Sequence, residues 1–181
     1  FHDHGLRQGE VVSMLLPLCE EAYATIVGGE AAGIVNAVNP MLEDWQIVKI
    51  LQAANSKILV AAGPEMSPEI YAKVETLRAA LPELAVTFQA GAGEVSDGVK
   101  SFSETLAGYP DDHLISGRQI QPDDIASYFH TGGTTGTPKL AQHTHYMQAC
   151  QIWSTGAALN YGPDDSLTTG LPLFHIGGSI V

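Results

Sequence analysis

The chain is short of positive charge. Eight Lys and Arg stand against 20 Asp and Glu in 181 residues, a formal net charge of −12. Such a field repels phosphate backbones over long range and argues against a nucleic-acid partner. Cysteine is scarcer still. Cys19 and Cys150 show no metal-ligand spacing, and their apolar or helical context predicts buried, reduced thiols in a cytoplasmic protein. The sequence has no apolar run of membrane-spanning length, no signal peptide, no internal repeat and no low-complexity tract, so no integral membrane segment is expected. At 45% hydrophobic and 15% charged residues, the composition is that of a folded domain and excludes disorder. The acidic pairs Asp111-Asp112, Asp123-Asp124 and Asp164-Asp165 stand beside Pro or Gly and read as turn and cap residues, not as catalytic dyads.

Short apolar runs alternate with helical patterns. Strands are predicted over 11–16, 34–38, 58–62, 85–88 and 166–171, with 125–129 leading into a glycine-rich loop. Helices are predicted over 20–32, with Gly33 as stop, and through Ile47, Ile50, Leu51 and Ala54, with Glu43 and Asp44 at the positive end. A further helix is capped by Ser67-Pro68 and carries Ile70, Val74, Leu77 and Leu81 on one face. Residues 91–98 read as a glycine-rich linker, 102–106 as a short helix, and 144–159 as a helix packed through Met147 and Trp153. His143 and His145 do not fill a zinc site, and at i and i+2 on a helix they would diverge. The expected fold class is α/β: a parallel sheet with helices on both faces.

The loop that follows the 125–129 strand is the most informative stretch. Thr131-Gly132-Gly133-Thr134-Thr135-Gly136-Thr137-Pro138-Lys139 holds three glycines and four threonines in nine residues. Such a backbone turns tightly and approaches a ligand closely, and its successive N–H groups form an anion-binding nest. Threonine hydroxyls add donors for phosphate oxygens or a metal, and Lys139 adds a mobile positive charge at the exit. In sheets of this kind, ligands sit at the carboxyl ends of the strands, where this loop falls. The Walker A pattern is absent, since Pro138 precedes the lysine and Leu140 follows it, which weighs against a kinase or other NTPase.

The ordered string Thr131–Lys139 resembles the phosphate-loop signature of the adenylate-forming superfamily: acyl-CoA synthetases, adenylation domains of peptide synthetases, and luciferases. Leu171-Pro172-Leu173-Phe174-His175-Ile176-Gly177-Gly178 is similar to a second family segment. Gly5-Leu6-Arg7-Gln8-Gly9-Glu10-Val11-Val12, Leu15-Leu16-Pro17 and Val35-Asn36-Ala37-Val38-Asn39-Pro40 follow the order of its early region. Residues 67–121 are the least diagnostic. Two departures stand out: Gly132 where the family often has Ser, and Leu140 where it often has Gly.

The resemblance implies that 1–181 is a partial N-terminal AMP-binding domain, the C-terminal remainder and small domain being absent. It implies an acyl-CoA synthetase that activates a fatty or related carboxylic acid with ATP and Mg2+, then transfers the acyl group to CoA. An adenylation domain that loads a carrier protein is the nearest alternative, and a non-catalytic nucleotide-binding fragment is another; the fragment alone is expected to be inactive. By resemblance, Thr131, Gly132, Gly133, Thr134, Thr135, Gly136 and Lys139 hold the nucleotide phosphates, with Thr131 also near Mg2+. His175 falls where the carboxylate meets the α-phosphate, and orients the acid or lines its pocket. Because the chain's own acidity opposes ATP, the amide nest, Lys139 and Mg2+ must together hold it.

Overall fold

The computed structural model describes residues 1–131 and 138–180. After a 3-10 turn at His2–His4, the chain forms β1 (Val11–Leu15), α1 (Glu20–Ala32), β2 (Ile34–Ala37), α2 (Asp44–Ala54), β3 (Ser56–Ala62), α3 (Pro68–Ala80) and β4 (Val86–Ala90). It continues with β5 (Val99–Ser101), α4 (Phe102–Leu106), β6 (Ile125–His130), β7 (Leu140–Thr144), α5 (His145–Ala158) and α6 (Ile176–Ser179). The strands make one seven-stranded sheet in the order β5-β4-β3-β1-β2-β6-β7. Every neighbouring pair is parallel except β6 and β7.

Local sequence explains most of these elements. All of β1 is buried, as expected of a run apolar on both sides and covered by helices on both faces. Glu43 and Gln46 form a capping box at the start of α2, and Asn55 ends that helix in the left-handed region. Ser67 Oγ accepts the Ile70 N–H at 3.4 Å to start α3. Ile70, Val74, Leu77 and Leu81 are all buried.

The core runs along the middle of the sheet. Val12 and Val35 face α1 so closely that a Cβ on Gly29 would stand 2.5 Å from a Val35 methyl and 2.7 Å from a Val12 methyl. On the same side, Phe102 of α4 packs edge-on against Phe88 of β4, and Gln148 of α5 reaches both Glu30 and Ser127. The reversal of direction from β2 to β3 sends α2 and α3 to the opposite face, because crossovers are right-handed. No helix of the described residues is long and apolar enough to cross a membrane.

Five expectations need correction. Residues 166–171 are not a strand: Leu167 and Leu171 are exposed, and among the described residues no sheet edge pairs with them, so the ladder that would make them a strand is missing. Residues 140–144 form a strand that the periodicity did not signal, antiparallel to β6; an edge strand with solvated side chains carries no apolar run. His143 therefore lies on β7, edge-on to Phe129, and only His145 begins the helix. Met147 and Trp153 are exposed, at 53% and 79%, because the buried residue of α5 is Gln148. Cys150 is exposed and Cys19 half-buried, both as free thiols. The three acidic pairs do lie in turns and bends: Asp124 accepts the Gln121 N–H and binds Arg118, Asp165 accepts the Gly162 N–H, and Asp112 pairs with His113.

Candidate functional site

The root of the glycine-threonine loop stands at the carboxyl end of β6, beside the end of β2. Thr131 N–H donates to the Lys139 carbonyl at 2.9 Å, one step beyond the paired positions His130 and Leu140. This bond closes the neck of a hairpin. Thr131 and Lys139 thus occupy facing positions, and both side chains are exposed; facing residues in an antiparallel pair project to the same side. A hydroxyl and an ammonium are thereby presented together at the neck. Gly132, Gly133, Thr134, Thr135 and Gly136, read above as phosphate contacts, lie outside the described residues.

The second segment, 171–178, is brought to the same edge. Leu173 is buried in the core, and Phe174 packs on it while stacking on the His130 ring, with centroids 6.3 Å apart and planes at 20°. His175 follows as the N-cap of α6. Its Nδ1 accepts the Gly177 N–H at 3.1 Å, and its carbonyl accepts Gly178 and Ser179 N–H groups. With Nδ1 engaged as an acceptor, the neutral ring carries its proton on Nε2. His175 is exposed, so that N–H is available to an incoming group. Gly178 is a place where only glycine fits: a Cβ there would lie 2.6 Å from the Leu171 carbonyl oxygen and closer still to that of Pro172.

His130 was missed by sequence reasoning, which ended the strand at Phe129 and began the loop at Thr131; it is the last residue of β6. Its Nε2 accepts the Asn39 N–H at 3.1 Å across 91 positions. Burial alone pushes its pKa below the ordinary histidine value, which favours the neutral ring that this bond requires. The one available signal was a titratable residue placed directly between an apolar strand and a glycine-rich loop. Asn39 stood in a quoted motif without a role.

Among the described residues no group of three or more His, Cys, Asp or Glu is gathered as a metal cage. A polar cluster at the opposite edge of the sheet, where β2 and β6 begin, is structural. Arg118 donates to the Glu30 and Ala31 carbonyls and pairs with Asp124, fixing the long return strand of chain to the end of α1. Desolvation raises the pKa of Glu30 against the lowering effect of the Gln148 hydrogen bond.

A model of the AMP-binding enzyme family matches residues 1–181. Marinolic acid–CoA ligase of Pseudoalteromonas sp. (strain SANK 73390) is 30% identical over 186 residues, covering 100% of this chain and 28% of that protein. 4-Coumarate–CoA ligase 2 of Solanum tuberosum is 31% identical over 181 residues, covering 95% of this chain and 30% of that protein. The chain therefore spans less than a third of the length of these relatives. ATP-bound MatB from Rhodopseudomonas palustris superposes with a TM-score of 0.75 at 24% identity, over 99% of this chain and 33% of that one. The N-terminal domain of FACL13 from Mycobacterium tuberculosis gives 0.80 at 20% identity, over 99% and 42%. At these identities the structural likenesses bear on the fold alone. With the family match running from the first residue to the last, and the signature loop rooted at the carboxyl edge of the sheet that it would need, this chain belongs to the AMP-binding enzyme family.

Proposed function

We propose that the chain supplies the phosphate-holding part of an AMP-forming acid–CoA ligase. The observation that carries this reading is the meeting of two separate motifs at one sheet edge, through the stack of Phe174 on His130. The family match over residues 1–181 and the relatives named CoA ligases support it.

In this reading a carboxylate oxygen attacks the α-phosphorus of ATP. An O–P bond forms, the bridge to the β-phosphate breaks, and pyrophosphate leaves; the thiol of CoA then displaces AMP from the acyl carbon. A carboxylic acid is already ionised at neutral pH, so the first step requires no base. Positioning and charge neutralisation are what the protein must provide. The loop from Thr131 to Lys139 holds the β- and γ-phosphates through its amides, hydroxyls and the Lys139 ammonium. His175 Nε2–H donates to the carboxylate and orients it; Nδ1, held as a helix cap, leaves that ring no second acceptor for proton abstraction.

Mg2+ suits the oxygens present, because it binds through one or two protein oxygens together with substrate phosphates and water. The exposed Thr131 hydroxyl is such a donor. Bound there, the ion would offset the charge of the leaving pyrophosphate.

The test is a screen of carboxylic acids on the full-length protein, following AMP and acyl-CoA together. Acid-dependent release of both in equal amounts is expected. Release of ADP, or AMP release that needs a carrier-protein thiol in place of CoA, refutes the ligase form. The fatty-acid class of substrate, the cytoplasmic location and the inactivity of the 181-residue piece remain parts of this proposal; pyrophosphate exchange by the isolated piece would refute the last.

A further inference from the structure

The imidazole of His130 touches three segments at once. Through the chain it is the residue before Thr131, at the root of the phosphate loop. Through Nε2 it accepts the Asn39 N–H at 3.1 Å, at the exit of β2. Through its face it stacks on Phe174, the residue before His175. We infer that His130 is a positioning residue: it sets the distance between the phosphate loop and the carboxylate-orienting segment, and touches neither substrate itself. This rests on the ligase reading above.

The chemistry of the ring suits the task. An imidazole is the one aromatic group that can lay a flat face on Phe174 while offering a ring-edge acceptor to a backbone amide. Accepting at Nε2 fixes the tautomer with the proton on Nδ1, and this bond together with the stack restrains the ring's rotation. Leucine has similar bulk but neither property. Glutamine places Oε1 near the position of Nε2 and lays a flat amide on the phenyl ring, so it restores both in part. A residue that merely fills space would be replaced by leucine without kinetic consequence.

The experiment compares His130→Leu and His130→Gln with wild type in the full-length protein. Two quantities are read: acid-dependent pyrophosphate exchange, and hydrogen exchange at the Asn39 amide. For His130→Leu, kcat is expected to fall by roughly 10- to 100-fold, the scale of an ångström-sized misplacement of reacting groups, with the KM values for ATP and acid near wild type. The Asn39 amide should exchange faster, having lost its acceptor. His130→Gln should recover most of the rate and of the protection. A wild-type kcat in His130→Leu overturns the inference, as does a lower melting temperature with kcat unchanged, or a His130→Gln no better than leucine. If wild type itself exchanges no pyrophosphate with any acid, the ligase reading has failed; protection of the Asn39 amide then still decides the His130 tie by itself.

Discussion

Gly178→Ala offers a direct measure of how tightly the second motif is built. The added Cβ would meet the Leu171 carbonyl oxygen at 2.6 Å, where ordinary contact begins at 3.4 Å, so the backbone must open by about 0.8 Å. The Pro172 carbonyl oxygen lies closer still, and neither is the end of a side chain that can swing aside. Leu173 and Ile180, both buried, hold the chain on either side of Gly178, so the part of the shift that exposed Leu171 and Pro172 do not absorb falls on the span between them. His175 sits in that span. A displacement near 1 Å of an orienting group costs roughly 10²-fold in rate, and overpacking of this kind destabilises by about 1–3 kcal/mol. Gly177→Ala is the control. Its nearest contacts would be His175 Nδ1 at 3.3 Å and a Leu171 methyl at 3.4 Å, so a shift of about 0.1 Å restores ordinary contact, and the N–H that caps onto His175 is retained. Acid-dependent pyrophosphate exchange by the full-length protein should therefore fall by roughly two orders of magnitude in Gly178→Ala and far less in Gly177→Ala. Equal rates in the two variants would refute the steric argument, and a wild-type rate in Gly178→Ala would detach this segment from the reaction.

Lys139→Ala should weaken ATP binding and slow adenylation with the melting temperature unchanged, as its side chain is exposed; an unaltered ATP dependence would remove it from the site. In α1, Gly29→Ala forces a Cβ to 2.5 Å from Val35 and should destabilise by about 1–3 kcal/mol. Its neighbour Gly28→Ala meets only the Phe1 ring at 3.7 Å and should stabilise by about 0.5–1 kcal/mol through helix propensity; denaturation midpoints moving in the same direction would contradict this. Desolvation is the first cause lowering the pKa of His4, His130 and His145, with Lys100 also acting on His4 and Arg118 on His145. The unfolded chain then takes up protons near pH 6.5 before the folded one does, so stability is full above about pH 6.5 and falls as pH drops toward the lowered values. The slope of melting temperature against pH below about 6.5 should be shallower in His130→Gln than in wild type, and identical slopes would remove His130 from the titration.

Elements that carry their own stop signals were legible in the sequence. The end of α1 followed from Gly33 and the start of α3 from Ser67-Pro68, because caps act within one turn of chain. Residues 166–171 show where this fails. A strand exists only if an edge accepts its hydrogen bonds, and no local pattern states whether one does. The helix α5 shows a second failure. Met147 and Trp153 looked like packing residues by type, yet the side turned inward is held by Gln148, which donates to Glu30 and Ser127 at 2.8 and 2.7 Å. Its partners come from α1 and β6, so the polar contact could not be read from the helix alone. The glycine-threonine stretch was legible as a string, whereas the residue at its root, whose partners are Asn39 and Phe174, was not.

Strand order also explains why the site opens where it does. The chain leaves β2 toward β3, passing β1, but leaves β6 in the other direction toward β7. Neighbouring strands whose exits diverge leave a crevice at their carboxyl ends, and β2 and β6 are such a pair. The strands β1 and β3 diverge as well, but the β2–β6 crevice has the root of the glycine-threonine stretch, Thr131, beside it. There the backbone ladder between the two strands stops at Ala37 and Phe129. On the other side of β2 it runs further, Val38 N–H still donating to the Met14 carbonyl. The next donor, Asn39, has no strand left to pair with and turns to the His130 ring. If this crevice admits a polyphosphate, as proposed, it cannot be zipped shut by main chain, yet its walls must hold their spacing. A single side-chain acceptor at its floor satisfies both conditions, which is why a change confined to that imidazole should alter turnover while the sheet beneath stays intact.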